Sequence, residues 1–423
     1  MSSLLVASVI ATAFLMVVTA AAGVDAVARA SSVSSSGQRV SSAHPDRIEE
    51  RSVPSAANSL LSGVSCVSTS DCWAVGSYQR SSLTQLSLAE HWNGTSWAVQ
   101  TSPNPSVSVT YRTADLRSIS CVSASDCWAV GTYASGNEGN FPGLVEHWNG
   151  SRWTLVANPK RPSSALLFGI SCTSASNCWA VGEYQAATHA TLDVIEHWNG
   201  TVWALAAGPN PSSLNSLLAI SCVNASDCWA VGDHLNGADA SLTLVEHWNG
   251  TMWSEMTNPN QPGASENQLY GVSCVSVTDC WAVGDYQSSS DAGLSLVEHW
   301  NGNNWSTVPS PNRPGALEPE GTALYDLSCA NASDCWAVGY WFNGSLGYIT
   351  IIEHWNGARW VIASTLLPRG RDVSGYLDDI SCVNASDCWA VGSYQVGVIG
   401  KQTQHGLFEH WNGARWSVVS GSS

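Results

Sequence analysis

Short apolar runs alternate with polar turns in one order that recurs seven times along the chain. Each period opens on Leu-x-x-Ile-Ser-Cys, as at 116–121, and crosses a turn of the Val-Ser-Ala-Ser-Asp type. It resumes on Cys-Trp-Ala-Val-Gly, as at 127–131. After an insert of variable length come Leu-Val-Glu-His-Trp at 144–148, then Asn149-Gly150, then a run opened by a second tryptophan, Trp153. Runs this short, bounded by turn residues, predict four strands per period, A to D. Asn-Gly between C and D predicts a tight hairpin turn, because both residues tolerate positive φ. Pro-rich joints such as Ser102-Pro103-Asn104-Pro105 stop strand D and discourage pairing at the outer edge.

The first cysteines of successive periods are 55, 51, 50, 52, 55 and 53 residues apart. A period near 50 predicts a propeller blade or a solenoid turn. No helical crossover separates the strands, which argues against a parallel β-helix. The expected fold is all-β: a seven-bladed β-propeller of four-stranded antiparallel blades. The expected blades are about 59–105, 106–160, 161–211, 212–262, 263–314, 315–368 and 369–423. Residues 50–54 are expected as a latch onto the last blade.

The 14 cysteines fall into seven pairs: Cys66/Cys72, Cys121/Cys127, Cys172/Cys178, Cys222/Cys228, Cys274/Cys280, Cys329/Cys335 and Cys382/Cys388. Cysteines facing each other across a hairpin have Cα atoms about 4.5–5.5 Å apart, within disulfide reach. One disulfide hairpin per blade is therefore expected, pinning register. The spacing is not that of a zinc ribbon or finger, so no metal is expected.

Residues 4–24 are almost wholly apolar, and Ala28-Arg29-Ala30 offers small residues at a cleavage position. Residues 1–30 are expected to be a secretory signal peptide or a retained membrane tether. Residues 31–58 read as a flexible linker, and 59–423 as the propeller. The chain is then secreted, extracellular or held at the cell surface. Its formal net charge is −17, and its only lysines are Lys160 and Lys401. A nucleic-acid partner, which needs a basic stripe, is excluded on this ground.

The repeat resembles kelch-type repeats, the propeller class that includes galactose oxidase. Trp128-Ala129-Val130-Gly131 stands where that pattern has an apolar run ending in Gly-Gly. Glu146-His147-Trp148-Asn149-Gly150 stands at its turn, and Trp153 matches its final Trp. The second Gly is missing and the cysteine hairpin is an addition. A weaker likeness is to the Asp-box of sialidase-like propellers, at Ser125-Asp126-Cys127-Trp128. Both imply the fold; neither implies an activity. A copper site like that of galactose oxidase needs a Tyr bonded to Cys, and every Cys is already paired, so no cofactor is expected.

Strand order puts the A–B and C–D turns on one face and the B–C loops and D–A joints on the other. The first set is nearly uniform. The second varies, as at 134–142, 186–191 and 395–406, and irregular loops on a rigid scaffold are where binding residues sit. Two residues after each strand-B glycine stands an aromatic or His: Tyr78, Tyr133, Tyr184, His234, Tyr286, Trp341 and Tyr394. These are the candidate ligand-binding ring, suited to stacking on sugar; the competing expectation is packing between blades. The Glu-His pairs, such as Glu90-His91, point to opposite faces of a strand and are expected to be structural.

A glycosidase needs two carboxylates about 5–10 Å apart. The acids available on the variable face are Asp115, Glu138, Asp233, Asp239, Asp285, Asp291, Glu318, Glu320, Asp372, Asp378 and Asp379, with Arg313, Arg369 and Arg371 in the joints. The pattern singles out no catalytic pair. The expected function is a monomeric, non-catalytic binding module taking a carbohydrate or protein partner on the B–C/D–A face. The alternatives are a secreted polysaccharide hydrolase or lyase, and a structural envelope protein.

Overall fold

The computed structural model describes residues 58–105, 113–134, 141–159, 164–238, 240–289, 292–313, 321–344, 347–364, 366–368, 373–397 and 402–422. The expected signal peptide, the linker up to residue 57 and the 50–54 latch lie outside these residues. So do Glu138, Asp239, Asp291, Glu318, Glu320, Asp372, Arg369 and Arg371. Asn58, the last residue of the expected linker, donates its N–H to Gln404 O of blade 7 at 2.6 Å.

Among the described residues, twenty-eight strands form seven antiparallel blades in the order A-B-C-D. In blade 1 these are Ser59–Ser68, Asp71–Ser81, Thr84–Trp92 and Trp97–Gln100. In blade 7 they are Val373–Asn384, Asp387–Val396, Thr403–Trp411 and Trp416–Val419. Each strand A packs against strand A of the next blade, and that of blade 7 packs against that of blade 1. Strand A therefore lines the axis and strand D the rim of a closed seven-bladed propeller.

The spacing Leu-x-x-Ile in strand A explains a feature that regular strands lack. Residues three apart on a strand face opposite sides. Yet Leu61 and Val64, Leu116 and Ile119, and their counterparts are all buried. A β-bulge resolves the conflict. In every strand A the pairing with strand B slips between the Leu and the residue two further on, as at Leu61/Gly63 and Leu116/Ser118. One extra residue is left unpaired and re-aimed. The bulge also presses the preceding carbonyl onto the strand-B glycine. A Cβ on Gly76, Gly131, Gly182, Gly232, Gly284, Gly339 or Gly392 would collide with it, which is why that position is Gly in all seven blades.

Each interface between blades is filled by tryptophan. Trp73 of strand B lies 4.5 Å from His91 of its own blade, 4.6 Å from Trp148 and 5.2 Å from Trp153 of the next, centroid to centroid. The ring closes on the same contacts: Trp389 meets His410 at 4.3 Å, Trp92 at 4.7 Å and Trp97 at 5.1 Å. The His of each Glu-His pair stacks on this Trp and faces the acid that begins strand B, as His147 Nε2 to Asp126 Oδ1 at 2.8 Å. In blade 3 the partner is Asn177.

All seven disulfides form across the A–B hairpins: Cys66–Cys72, Cys121–Cys127, Cys172–Cys178, Cys222–Cys228, Cys274–Cys280, Cys329–Cys335 and Cys382–Cys388. Two features differ from the sequence expectation. The Cα atoms stand 3.9–4.0 Å apart, closer than the 4.5–5.5 Å of an ordinary cross-strand pair. The bridges were also expected to do no more than pin the register of a turn, yet the second cysteine of each is a core residue. Cys72, Cys127, Cys178, Cys228, Cys280, Cys335 and Cys388 are all fully buried. Each sits in the apolar cluster that its blade shares with the one before, as Cys72 does with Trp389 and Cys178 with Trp128. The physical reason is the strand itself: this cysteine and the interface Trp that follows it point to opposite faces of strand B, and a neighbouring blade covers each face, the one before covering Cys72 and the one after covering Trp73. These seven sulfurs therefore belong to the packing between blades and offer nothing to a ligand.

The first cysteine of each pair stays half-buried. It donates its N–H to the serine that precedes the equivalent cysteine of the blade before: Cys66 to Ser381, Cys121 to Ser65, and so on around the ring, at 3.0–3.2 Å. Ser-Cys is thus both hairpin clamp and ring fastener. Replacing Cys222 and Cys228 together by alanine should lower unfolding free energy by more than about 2 kcal/mol, the value for so short a loop, because the fully buried Cys228 sulfur also leaves the core between blades; the fold is retained, and urea unfolding of the pure protein reads the loss.

The C–D turn differs from the expected one. Only the glycine has positive φ, from 82° to 92° across the seven copies. The Asn side chain instead caps a four-residue turn: Asn93 Oδ1 accepts the N–H groups of Thr95 and Ser96. The turn rests on the A–B turn through Trp92 Nε1, which donates to Thr69 O.

Candidate functional site

The bulge residues are Ser62, Arg117, Phe168, Leu218, Tyr270, Tyr325 and Asp378. All seven are half-buried, while the leucines before them are fully buried. Two residues earlier, on the same side, stand Leu60, Asp115, Leu166, Ser216, Gln268, Ala323 and Tyr376. These two columns are where the repeat stops repeating, and they face the axis. Side chains from distant blades meet there: the Asp378 carboxyl of blade 7 feels Arg117 and Asp115 of blade 2, with blade 1 between them.

The lining is lopsided. On blades 1, 3 and 4 it is mostly apolar. On blades 5 to 7, Tyr270, Tyr325 and Tyr376 stand edge to face, with ring centroids 5.4 and 6.4 Å apart. Tyr270 donates its hydroxyl to Gln268. Arg117 Nε is 2.9 Å from Asp115 Oδ2, and its guanidinium lies 5.5 Å from the Phe168 ring. Burial raises the Asp378 carboxyl well above the usual range, aided by Asp379. Strand B adds Glu183, Asp233 and Asp285 beside this lining. Burial lifts Asp285 to about 7 and Asp233 to about 6, against the pull of the Tyr270 and Ser241 hydroxyls. The cause is desolvation, which penalises the charged form.

Asp326 and Asp379 have a different task. They occupy the small-residue position after the bulge in blades 6 and 7. Asp379 Oδ2 accepts the Val64 N–H at 2.8 Å, and Asp326 Oδ2 accepts the Ile380 N–H at 3.2 Å. They fasten strand A to strand A. Asp115, Asp378, Asp379, Asp233 and Asp285 were expected among solvated loop acids; the structure puts all five within strands, at or beside the axis.

The predicted aromatic ring pairs with the start of strand A: Tyr78 with Ser59, Tyr133 with Ala114, Tyr184 with Ala165, His234 with Asn215, Tyr286 with Asn267, Trp341 with Thr322 and Tyr394 with Gly375. Six of the seven pack on the apolar core between their blade and the one before. All but Trp341 are half-buried. Trp341 is 9% exposed, with the Arg313 guanidinium 5.4 Å from its ring. Tyr394 stacks on His405 at 5.3 Å.

Sequence reading missed Arg117, Phe168, Tyr270, Tyr325 and Glu183. The Leu-x-x-Ile spacing was the available signal for the first four. Two surface grooves, one along Met256, Asn258, Pro259, Trp300 and Trp305 and one along His189 and Leu214, take in no bulge residue.

No protein-family model and no curated protein matches the chain. Among solved structures, the chain is similar to the BP39L lectin from Burkholderia pseudomallei, at 16% identity over 86% of this chain and 99% of that one, with a TM-score of 0.49. It is similar to the fucose-specific lectin from Aleuria aurantia at 13% identity, over 71% and 94%, with a TM-score of 0.38. It is also similar to YCF48 bound to a D1 peptide at 14% identity, over 73% and 81%, with a TM-score of 0.42.

Proposed function

We propose that the protein is a binding module whose partner enters the axial mouth from the B–C/D–A face. The observation that carries this reading is the convergence of the non-repeating strand-A side chains on the axis of an otherwise repetitive scaffold. Tyr faces offer stacking area and Tyr hydroxyls offer hydrogen bonds, while Asp378, Asp285, Asp233 and Glu183 favour a ligand rich in donors or positive charge. A protein segment carrying Lys or Arg fits this lining best, and a carbohydrate is the other ligand class it suits. This reading puts the chain outside the reducing cytoplasm, in keeping with its seven disulfides. It keeps the kelch-type kinship on the strength of Trp153 opening strand D.

The test is a screen of the pure protein on a basic-peptide array and a glycan array, followed by affinity measurement on the best hit. Asp378→Asn should weaken that hit about tenfold or more, because a bound Lys or Arg draws the proton off Asp378 and gains a charge-assisted hydrogen bond that the amide cannot supply, with thermal stability unchanged. An undiminished affinity in that variant would remove the axis from the site. A second reading, a polysaccharide hydrolase or lyase, is favoured by one observation: Asp378, its proton held by burial, lies within electrostatic range of Asp115 and Arg117. Such a carboxyl is a candidate proton donor. Turnover of an array hit that is lost in Asp378→Asn would establish it.

A further inference from the structure

Four interfaces between blades share one polar device, and another departs from it. The Glu of each Glu-His pair is buried and aimed at the preceding blade. Ser102 and Ser87 of blade 1 donate to Glu146 at 2.8 and 3.4 Å. Ser310 donates to Glu353 at 2.6 Å, and Asn258 to Glu298 at 3.5 Å. Ser422 closes the ring onto Glu90 at 2.7 Å. Two positions supply these donors: one on strand C and one in the joint after strand D.

Between blades 3 and 4 neither position holds a donor. Asp193 stands where strand C elsewhere carries Ser87, Thr243, Ser295 or Thr350. Gly208 stands where the joint carries Ser102, Asn258 or Ser310. A Cβ on Gly208 would lie 3.5 Å from Glu246 Oε2 and 3.1 Å from Ile195 Cδ1, so a side chain there reaches the carboxyl once the tip of Ile195 gives by a few tenths of an ångström. Asp193 is 5% exposed and Glu246 is fully buried. Among the described residues, no donor from elsewhere meets any of their four carboxyl oxygens. The two carboxyls bond each other, and that bond requires a proton. The charged groups acting on the pair, again among the described residues, are Glu183, Asp233 and Glu255, all acidic. Nor does a third described His, Cys, Asp or Glu complete a metal-holding group there.

We propose that the interface between blades 3 and 4 is a proton-held seam, closed by the proton shared between Asp193 and Glu246 and loosened when alkali removes it. Burial lifts Asp193 to about 7, and burial together with Asp193 lifts Glu246 to about 10. Both groups hold protons more tightly folded than unfolded, so their contribution is full below their ordinary values, 3.8 and 4.5, and falls as pH climbs from there toward 7 and then 10. Glu146, Glu298 and Glu353 also ionise across this range, but each keeps a hydroxyl or amide donor from the blade before it; here two carboxylates are left against each other, so this seam opens first.

The repeat supplies its own controls. Hydrogen exchange of the full-length protein, in EDTA, is followed from pH 6 to 9 and corrected for intrinsic rates. Protection of Thr191–Trp198 and Ser241–Trp248 should fall about tenfold more than protection of Gly293–Trp300 and Gly347–Trp355. Asp193→Ser, which restores the hydroxyl of blades 1 and 5, should abolish the excess. So should Gly208→Ser, which restores the joint donor. Equal behaviour of the two strand pairs in the native chain would overturn the proposal. So would an excess that persists in both variants, or protection restored by calcium and removed again by EDTA, which would make the occupant a cation.

Discussion

Trp389→Ala should destabilise the protein by about 3–5 kcal/mol, the range for deleting a fully buried large aromatic, with no change in the strands themselves. Trp389 is 1% exposed. It fills the interface where the two ends of the propeller meet, against Trp92 and Trp97 of blade 1. Phe408 extends that contact by stacking on Trp97 at 4.5 Å. The ring is closed by this packing and by hydrogen bonds of the same interface, among them Cys66 N–H to Ser381 Oγ, Val64 N–H to Asp379 Oδ2, Gly406 N–H to Ser59 Oγ and Ser422 Oγ–H to Glu90 Oε2, since every blade is built from consecutive strands. Trp229→Ala, at the interface between blades 4 and 5, should therefore cost the same to within about 1 kcal/mol. Paired denaturant curves of the two variants decide it. A mild Trp389→Ala beside a severe Trp229→Ala would mean that something other than this interface closes the ring.

Raising the pH from 5 to 9 should lower the melting temperature on the order of 10 °C, with most of the fall complete by pH 8.5. Burial between blades pushes Glu146, Glu298, Glu353 and Glu409 up to about 8, with the pull of Ser102, Asn258, Ser310 and Thr350 only partly offsetting it. Each carboxyl is neutral in the folded chain and ionised in the unfolded chain between its ordinary value, 4.5, and about 8. The folded state then binds more protons, so stability falls with pH across that window, by up to about 1.4 kcal/mol per unit for each group. Glu298→Gln keeps the acceptor for Asn258 and cannot ionise. It should reduce the slope by one proton and raise stability at pH 8.5. A flat profile in the native chain would show that these glutamates are ionised and otherwise compensated.

The blade was legible because it repeats. Apolar runs, Asn-Gly and the cysteine spacing each pointed to the same four strands, and the cysteines pair within hairpins. How deep those cysteines lie was not legible. Spacing shows that Cys280 and Cys335 can reach their partners, but only the neighbouring blade buries them. The roles of single polar residues were hidden for the same reason. Glu146 looks like half of a Glu-His pair, yet its partners, Ser87 and Ser102, lie in the blade before it. Asn104, Asn210, Asn260 and Asn312 looked like residues of a strand-stopping joint. Each also accepts the N–H of a strand-C residue: Ser87, Asp193, Thr243 and Ser295. The axis was hidden most deeply. Period-two reading of strand A makes Tyr325 or Arg117 an ordinary alternating position. Only the three-residue spacing of Leu and Ile, which demands a bulge, re-aims that residue to the channel.

The aromatic ring was chosen because it recurs, and recurrence in this chain marks scaffold. Tyr133, Tyr184 and Tyr286 carry the same packing in each blade, whereas Arg117, Phe168 and Tyr270 differ from blade to blade at one position. Asymmetry within the repeat is the better guide to where a partner is recognised.

The central claim is that the axis on the B–C/D–A face is the working end of the molecule. Hydroxyl-radical footprinting with and without the strongest array hit tests it most directly, because the tyrosines of the axis and the half-exposed tryptophans of the opposite face are both reactive and both countable. The account predicts that the bound ligand protects Tyr270, Tyr325 and Tyr376 and leaves Trp92, Trp148 and Trp411 unchanged. Protection of those tryptophans with the axial tyrosines unaffected would contradict it.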